Sequence, residues 1–74
     1  MITKIGIVAG EIWHYLDKHR DVKLSELFSN LEHSKEIILM SVGWLAREGH
    51  IILEEEDYDF KVSLRRYPES RVHL

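Results

Sequence analysis

The 74-residue chain has no cysteine, one proline and four glycines, and its ten basic residues are outnumbered by thirteen acidic ones. Without cysteine there are no disulfides and none of the thiolate zinc sites that staple many small domains. A formal charge of -3 argues mildly against nucleic acid or an anionic membrane as the default partner. Uncharged stretches such as Ile5 to Gly10 fall far short of the roughly 20 residues that span a bilayer, and none has the layout of a cleavable signal. A reducing cytoplasm fits these absences. What is present, 45% hydrophobic and 31% charged residues, is the composition of a folded chain rather than a disordered one. The length allows one domain. A domain this small buries only about 60% of its unfolded surface, so with disulfides excluded a partner chain becomes the expected reinforcement.

From Thr3 to Arg20 the apolar period is helical: Ile5, Val8, Ile12, Leu16 and His19 recur at spacings of three and four, which stacks them on one face. Gly6, Gly10 and Trp13 lie on a different face. Each glycine costs a helix interior up to about 1 kcal/mol relative to alanine, so an offsetting close approach of another helix is expected there. The helix is predicted to end near Asp21, with Val22 as a one-residue strand or extended link. A second helix fits Leu24 to Leu31, with Leu24, Leu27, Phe28 and Leu31 as its apolar face and Glu26 in its first turn, where a carboxylate favours the helix dipole. After a tight turn, Ser34 is a good N-cap for a third helix over Lys35 to Glu48. Gly49 is its C′ signal.

Beyond Gly49 the period falls from 3.6 to 2. The run His50 to Glu55 is predicted as one strand and Glu56-Asp57 as the turn. Tyr58, Phe60, Val62 and Leu64 then alternate with polar residues as a second, half-buried strand. Helix, short strand, helix, turn, helix and hairpin form an α+β, mainly α architecture: a winged helix-turn-helix with three helices, a short strand and a C-terminal β-hairpin wing. The domain is expected over residues 1–64, with 65–74 as a loosely attached tail.

Particular segments carry a closer likeness. Ile5-Gly6, Ala9-Gly10, Ile12-Trp13 and Leu16 resemble the first helix of a family of small bacterial and archaeal winged helix-turn-helix proteins of unassigned function. The run Gly43-Trp44-Leu45-Ala46-Arg47-Glu48-Gly49-His50-Ile51 resembles that family's pattern at the third helix and wing start. The likeness covers Ile5 to Leu64, except that His50 stands where the family usually has lysine. It implies a fold of the DNA-binding type and a cytoplasmic protein, and supplies no ligand or catalytic residue.

Candidate chemistry is sparse. A helical metal pair wants histidines four apart, whereas His14 and His19 are five apart and diverge by about 140°. His33, His50 and His73 are scattered, so solvated or half-buried histidines are the better reading and no metal or cofactor is expected. The acidic run Glu54-Glu55-Glu56-Asp57 lacks the alternating oxygens and the glycine of a calcium loop, and reads instead as charge that protects a hairpin edge. Gly6 and Gly10 are followed by no Lys-Ser/Thr pair and make no phosphate loop. No hydroxyl nucleophile stands at a recognised motif spacing from an acid–base partner, so an enzyme is not expected, nor is a small-molecule ligand.

With Ile38, Val42 and Leu45 facing inward, the third helix presents Lys35, Glu36, Leu39, Met40, Gly43 and Arg47 outward. Lys35, Leu39, Met40, Gly43 and Arg47 are therefore the candidate DNA-contacting residues of a transcriptional regulator. Yet Lys35 to Lys61 holds three basic residues against seven acidic ones, and phosphate neutralisation supplies most non-specific affinity. The competing reading is a winged helix used for protein association. Its warrant is the exposed apolar strip at Leu39 and Met40 together with the expected interface residues Gly6, Gly10, Trp13 and Trp44, because tryptophan and methionine are enriched at interface centres. Both readings accommodate a homodimer, which is the expected partner state.

Overall fold

The computed structural model describes residues 2–66. Helix α1 (Ile2–His19) turns Val8, Ala9, Ile12 and Leu16 into the core, with Ile5 and Tyr15 half-buried beside them. The inward stripe stops at Leu16. His19, expected on that stripe, is exposed, because the chain leaves the helix directly after it. Its ring instead packs on Tyr15, with centroids 4.2 Å apart. Arg20 closes the helix in the left-handed region (φ 67°), and its amide donates to the Leu16 carbonyl at 2.8 Å. A residue with a side chain does here what glycine usually does at C′.

The chain then runs through strand β1 (Val22–Lys23) into the short helix α2 (Leu24–Asn30). Lys23, at the N-cap of α2, provides no side-chain cap. The cap arrives from the wing: Asp59 accepts from the Ser25 hydroxyl at 2.6 Å and from the Ser25 amide at 3.4 Å. Helix α3 (Lys35–Arg47) is capped as its sequence predicts. The Ser34 hydroxyl accepts from the Ile37 amide at 3.2 Å, meeting one of the donors a helix start leaves unpaired. At the other end Gly49 adopts φ +79°, and the amides of Gly49 and His50 donate to the carbonyls of Ala46 and Leu45. This is the paired closure of a Schellman motif, which needs the left-handed residue.

Strands β2 (Ile51–Glu56) and β3 (Asp59–Leu64) form the hairpin. The expected two-stranded hairpin is widened to three strands, in the order β1-β3-β2, all antiparallel. Val62 pairs with Val22 on one side and Leu53 on the other, and is fully buried. The turn is also one residue later than expected. The register Glu56↔Asp59 leaves Asp57 and Tyr58 as the two central residues, both at positive φ (45° and 66°). That left-handed pair matches the twist of the flanking strands. Tyr58 thus belongs to the hairpin tip, fully exposed, and not to the half-buried face of β3.

The core is Val8, Ala9, Ile12 and Leu16 from α1, Leu27 from α2, Ile37, Ile38, Val42 and Leu45 from α3, and Val22, Ile51 and Val62 from the sheet. Helix α3 buries a wider stripe than Ile38, Val42 and Leu45, because α1 crosses it on the Ile37–Ser41 side. Ser41 is buried there and donates to the Ile37 carbonyl at 2.8 Å, with the Ile5 carbonyl 3.3 Å away. The architecture is that of a winged helix-turn-helix, with β2–β3 as its wing. After β3 the Arg65 amide donates to the His50 carbonyl at 2.9 Å and the Arg66 guanidinium meets Asp17 at 2.9 Å. The rest of the expected tail, Arg71 and His73 included, lies outside the described residues. Among the described residues no helix is long and apolar enough to cross a membrane.

Candidate nucleic-acid and association surfaces

Because α1 covers only one flank of α3, the opposite flank is bare. Lys35, Glu36, Leu39, Met40, Gly43 and Arg47 are all exposed on it. Lys35 stands beside Glu36 at one end and Arg47 at the other, and the middle is apolar. Lys35 is held against its own domain, its ammonium 5.2 Å from the centroid of the Phe28 ring, a cation–π distance. Helical geometry puts Leu39 about 140° around α3 from Trp44. Met40 and Arg47 stand only about 40° and 60° from Trp44, so the candidate DNA-contacting flank runs into the side that carries the candidate interface tryptophan.

The wing carries the opposite charge. Lys61 pairs with Glu54 at 3.1 Å and Lys23 with Glu56 at 3.8 Å, which compensates part of its negative excess. Glu55 and Asp57 are also exposed on the hairpin. The hydrogen bond from Lys61 to Glu54 holds the Lys61 ammonium above its ordinary range. Hydrogen bonds from the Ser25 hydroxyl and the Phe60 amide hold the Asp59 carboxyl below its ordinary range. A lowered carboxyl stabilises the fold above its unfolded-state value, and that contribution fades as pH falls through the lower, folded-state value. The bond between wing and α2 is therefore sensitive to acid.

Gly6, Gly10, Trp13 and Trp44, expected as interface residues from separate parts of the chain, converge on one feature. Together with Ala9, Leu45 and His50 they line an open groove of about 220 Å³ between α1 and α3. Trp44 faces the His50 ring with centroids 6.3 Å apart. The helix expected to pack on the glycines is not supplied by the described part of the chain. A Cβ placed on Gly6 or on Gly10 would meet nothing within 4 Å, so the cost of both glycines stands without compensation there. His50 and Ala9 are not among the interface residues expected from the sequence. Ala9 could have been, since it stands three residues after Gly6, but nothing local signals that His50 returns to α1.

A polar network on the other side of α1 was equally hidden. The Tyr15 hydroxyl donates to Glu26 at 2.7 Å and accepts from the Asn30 amide at 3.1 Å. The bond to Glu26 raises the Tyr15 hydroxyl above its ordinary range. His33 lies 2.8 Å from Glu11, joining the α2–α3 turn to α1. Among the described residues no group of three or more His, Asp or Glu side chains is arranged to hold a metal ion.

Comparison with known proteins agrees with this architecture. The model of a winged helix-turn-helix domain family, DUF2582, matches residues 1–64. The chain is 34% identical over 68 residues to the uncharacterized protein MJ1608 of Methanocaldococcus jannaschii, an alignment that covers 88% of this chain and 96% of that protein. No solved structure matches it.

Proposed function

Because the chain belongs to the DUF2582 family of winged helix-turn-helix domains, we propose that it is a cytoplasmic, non-enzymatic DNA-binding regulator that touches DNA through α3 alone. The observation that carries this reading is the bare flank of α3, with Lys35 and Arg47 at its ends. In a helix-turn-helix this flank is the one that enters the major groove. Lys35 and Arg47 would meet phosphates, which position the helix. Leu39 and Met40 offer no hydrogen bonds, so the base-edge feature they suit is the thymine methyl group. Gly43 lets the backbone approach closely. The acidic wing would stand off the duplex.

So few phosphate contacts imply weak, modestly salt-dependent binding. With about two phosphates neutralised per protomer, log K should fall against log salt with a slope of roughly -2. Titrating mixed-sequence duplex at low salt, where attraction is least screened, tests this. A shift at micromolar protein that vanishes in Lys35→Ala/Arg47→Ala supports the reading, and no shift at high micromolar protein sinks it. The acidic wing favours a second reading, a protein-association module without significant DNA binding, which the same null result would leave standing.

A further inference from the structure

The sheet has one long edge without a partner strand. In the order β1-β3-β2, β3 is paired on both sides and β2 on one. The turn at Asp57-Tyr58 closes on the pair Glu56↔Asp59, and from a two-residue turn the hydrogen-bonded pairs recur at every second residue. They fall on Glu56, Glu54 and Ile52, and the bond from the Arg65 amide to the His50 carbonyl keeps the same parity. The amides and carbonyls of Leu53 and Glu55 therefore point away from β3, where among the described residues no further strand meets them. Apolar side chains flank this edge. Ile52 is 38% exposed, and Leu53 and Phe60, the cross-strand neighbour of Glu55, are each 39% exposed.

We propose that this edge takes up an extended basic segment of another protein as a fourth strand, bonded to the backbone of Leu53 and Glu55. Unpaired backbone beside half-exposed apolar side chains is the surface that strand addition covers. Charge selects the occupant. Lys61 and Lys23 compensate Glu54 and Glu56 from within the sheet, whereas Glu55 and Asp57 meet no cation among the described residues. A second copy of β2 would set the same four acids against Glu54, Glu55, Glu56 and Asp57, and like charges across a strand pair destabilise it. A nucleic-acid backbone is repelled for the same reason. Acids guard an edge against strands of their own sign, and by that sign they attract lysine and arginine.

The register sets the order of the partner's residues. Every pairing in the sheet is antiparallel, which is also the slightly more stable arrangement. An antiparallel partner meets Glu56, Glu55 and Glu54 first and Leu53 and Ile52 after them, so its basic residues precede its apolar ones. Backbone bonds supply affinity and this order supplies specificity. The pairing does not rest on DNA binding by α3.

The test adds the acetylated and amidated peptide Lys-Arg-Lys-Val-Val-Thr to the full-length chain at low salt and follows amide exchange with solvent by NMR. A second peptide has the same side chains but N-methyl groups on its four central residues, which keeps every charge and removes donors from both of its edges. The expected result is exchange at Leu53 and Glu55 slowed at least tenfold by the first peptide and not by the second. In Glu55→Lys/Asp57→Lys, with the helical spectrum unchanged, the first peptide's dissociation constant should rise at least tenfold. Equal protection by the N-methylated peptide overturns the proposal, because contact is then through charge alone. So does the absence of any response at high micromolar peptide, or a response centred on the α1–α3 groove. Leu53 and Glu55 amides already protected in the free chain also overturn it, since the edge is then occupied. Should the double variant prove unfolded, the two peptides decide the outcome by themselves.

Discussion

The α1–α3 groove and the β2–β3 wing are both exposed, and they differ in nearly everything that governs what a surface binds. The groove is lined by no Asp, Glu, Lys or Arg, is built from two long helices, and has unfilled space between aromatic ridges. The wing is acidic, ends in a left-handed two-residue turn, and carries Tyr58 at its tip. A chain of only 74 residues thus places its charge unevenly: the hairpin carries four consecutive acids beside exposed Ile52, Leu53, Tyr58 and Phe60, while no Asp, Glu, Lys or Arg lines the groove. Bare counts of charge hide this division, since a net value of -3 says nothing about which face bears it.

The comparison breaks most completely if the core beneath both regions is removed. Ile12 is fully buried between the groove and the sheet, and Ile12→Ala should cost about 2–5 kcal/mol, read as a large fall in the thermal midpoint or outright unfolding. A smaller effect separates the helices from the wing. Ser34→Ala removes the cap of α3 and should cost about 0.5–2 kcal/mol, seen in chemical denaturation. It should leave the hairpin register unchanged.

A third change acts on the groove alone, with opposite signs in two measurements. Gly10→Ala should raise stability at dilute concentration by up to about 1 kcal/mol through helix propensity, while weakening association. A melt at low micromolar concentration and a sedimentation series at high concentration read the two separately. The smallest effect concerns the wing. As pH falls below about 4, the ordinary carboxyl range, Asp59 loses the charge that holds Ser25, and stability should decline there. Asp59→Asn should flatten that part of the pH–stability curve, and an unchanged curve would remove Asp59 from the account.

Much of the fold could be read from local pattern, since local chemistry determines it. Ser34 and Gly49 bracket α3 because a hydroxyl and a left-handed residue are each needed at one point. The period change after Gly49 marks the wing in the same way. Misreadings arose where distant partners decide. Tyr58 continues the alternation of β3, yet the register with β2 puts it in the turn. Asp59 looks like an ordinary exposed acid, but it caps α2 from 34 residues away. The short strand expected at Val22 is present, and pairing with Val62 and Lys61 extends it to the two residues of β1 and into the sheet of the wing. At the candidate site, spacing supplied the glycine–tryptophan face and the outward side of α3, while His50 and the openness of the hollow depended on how α1 crosses α3.

The most direct test of this division is an amide and indole chemical-shift map recorded twice, once across a protein concentration series and once across a low-salt duplex titration. Concentration should move Gly6, Gly10, Trp13 and Trp44, duplex should move Lys35, Leu39, Gly43 and Arg47, and the wing from Glu54 to Tyr58 should stay still in both. Shifts that centre on the wing in either series, with the groove and the outer side of α3 unmoved, would contradict the account.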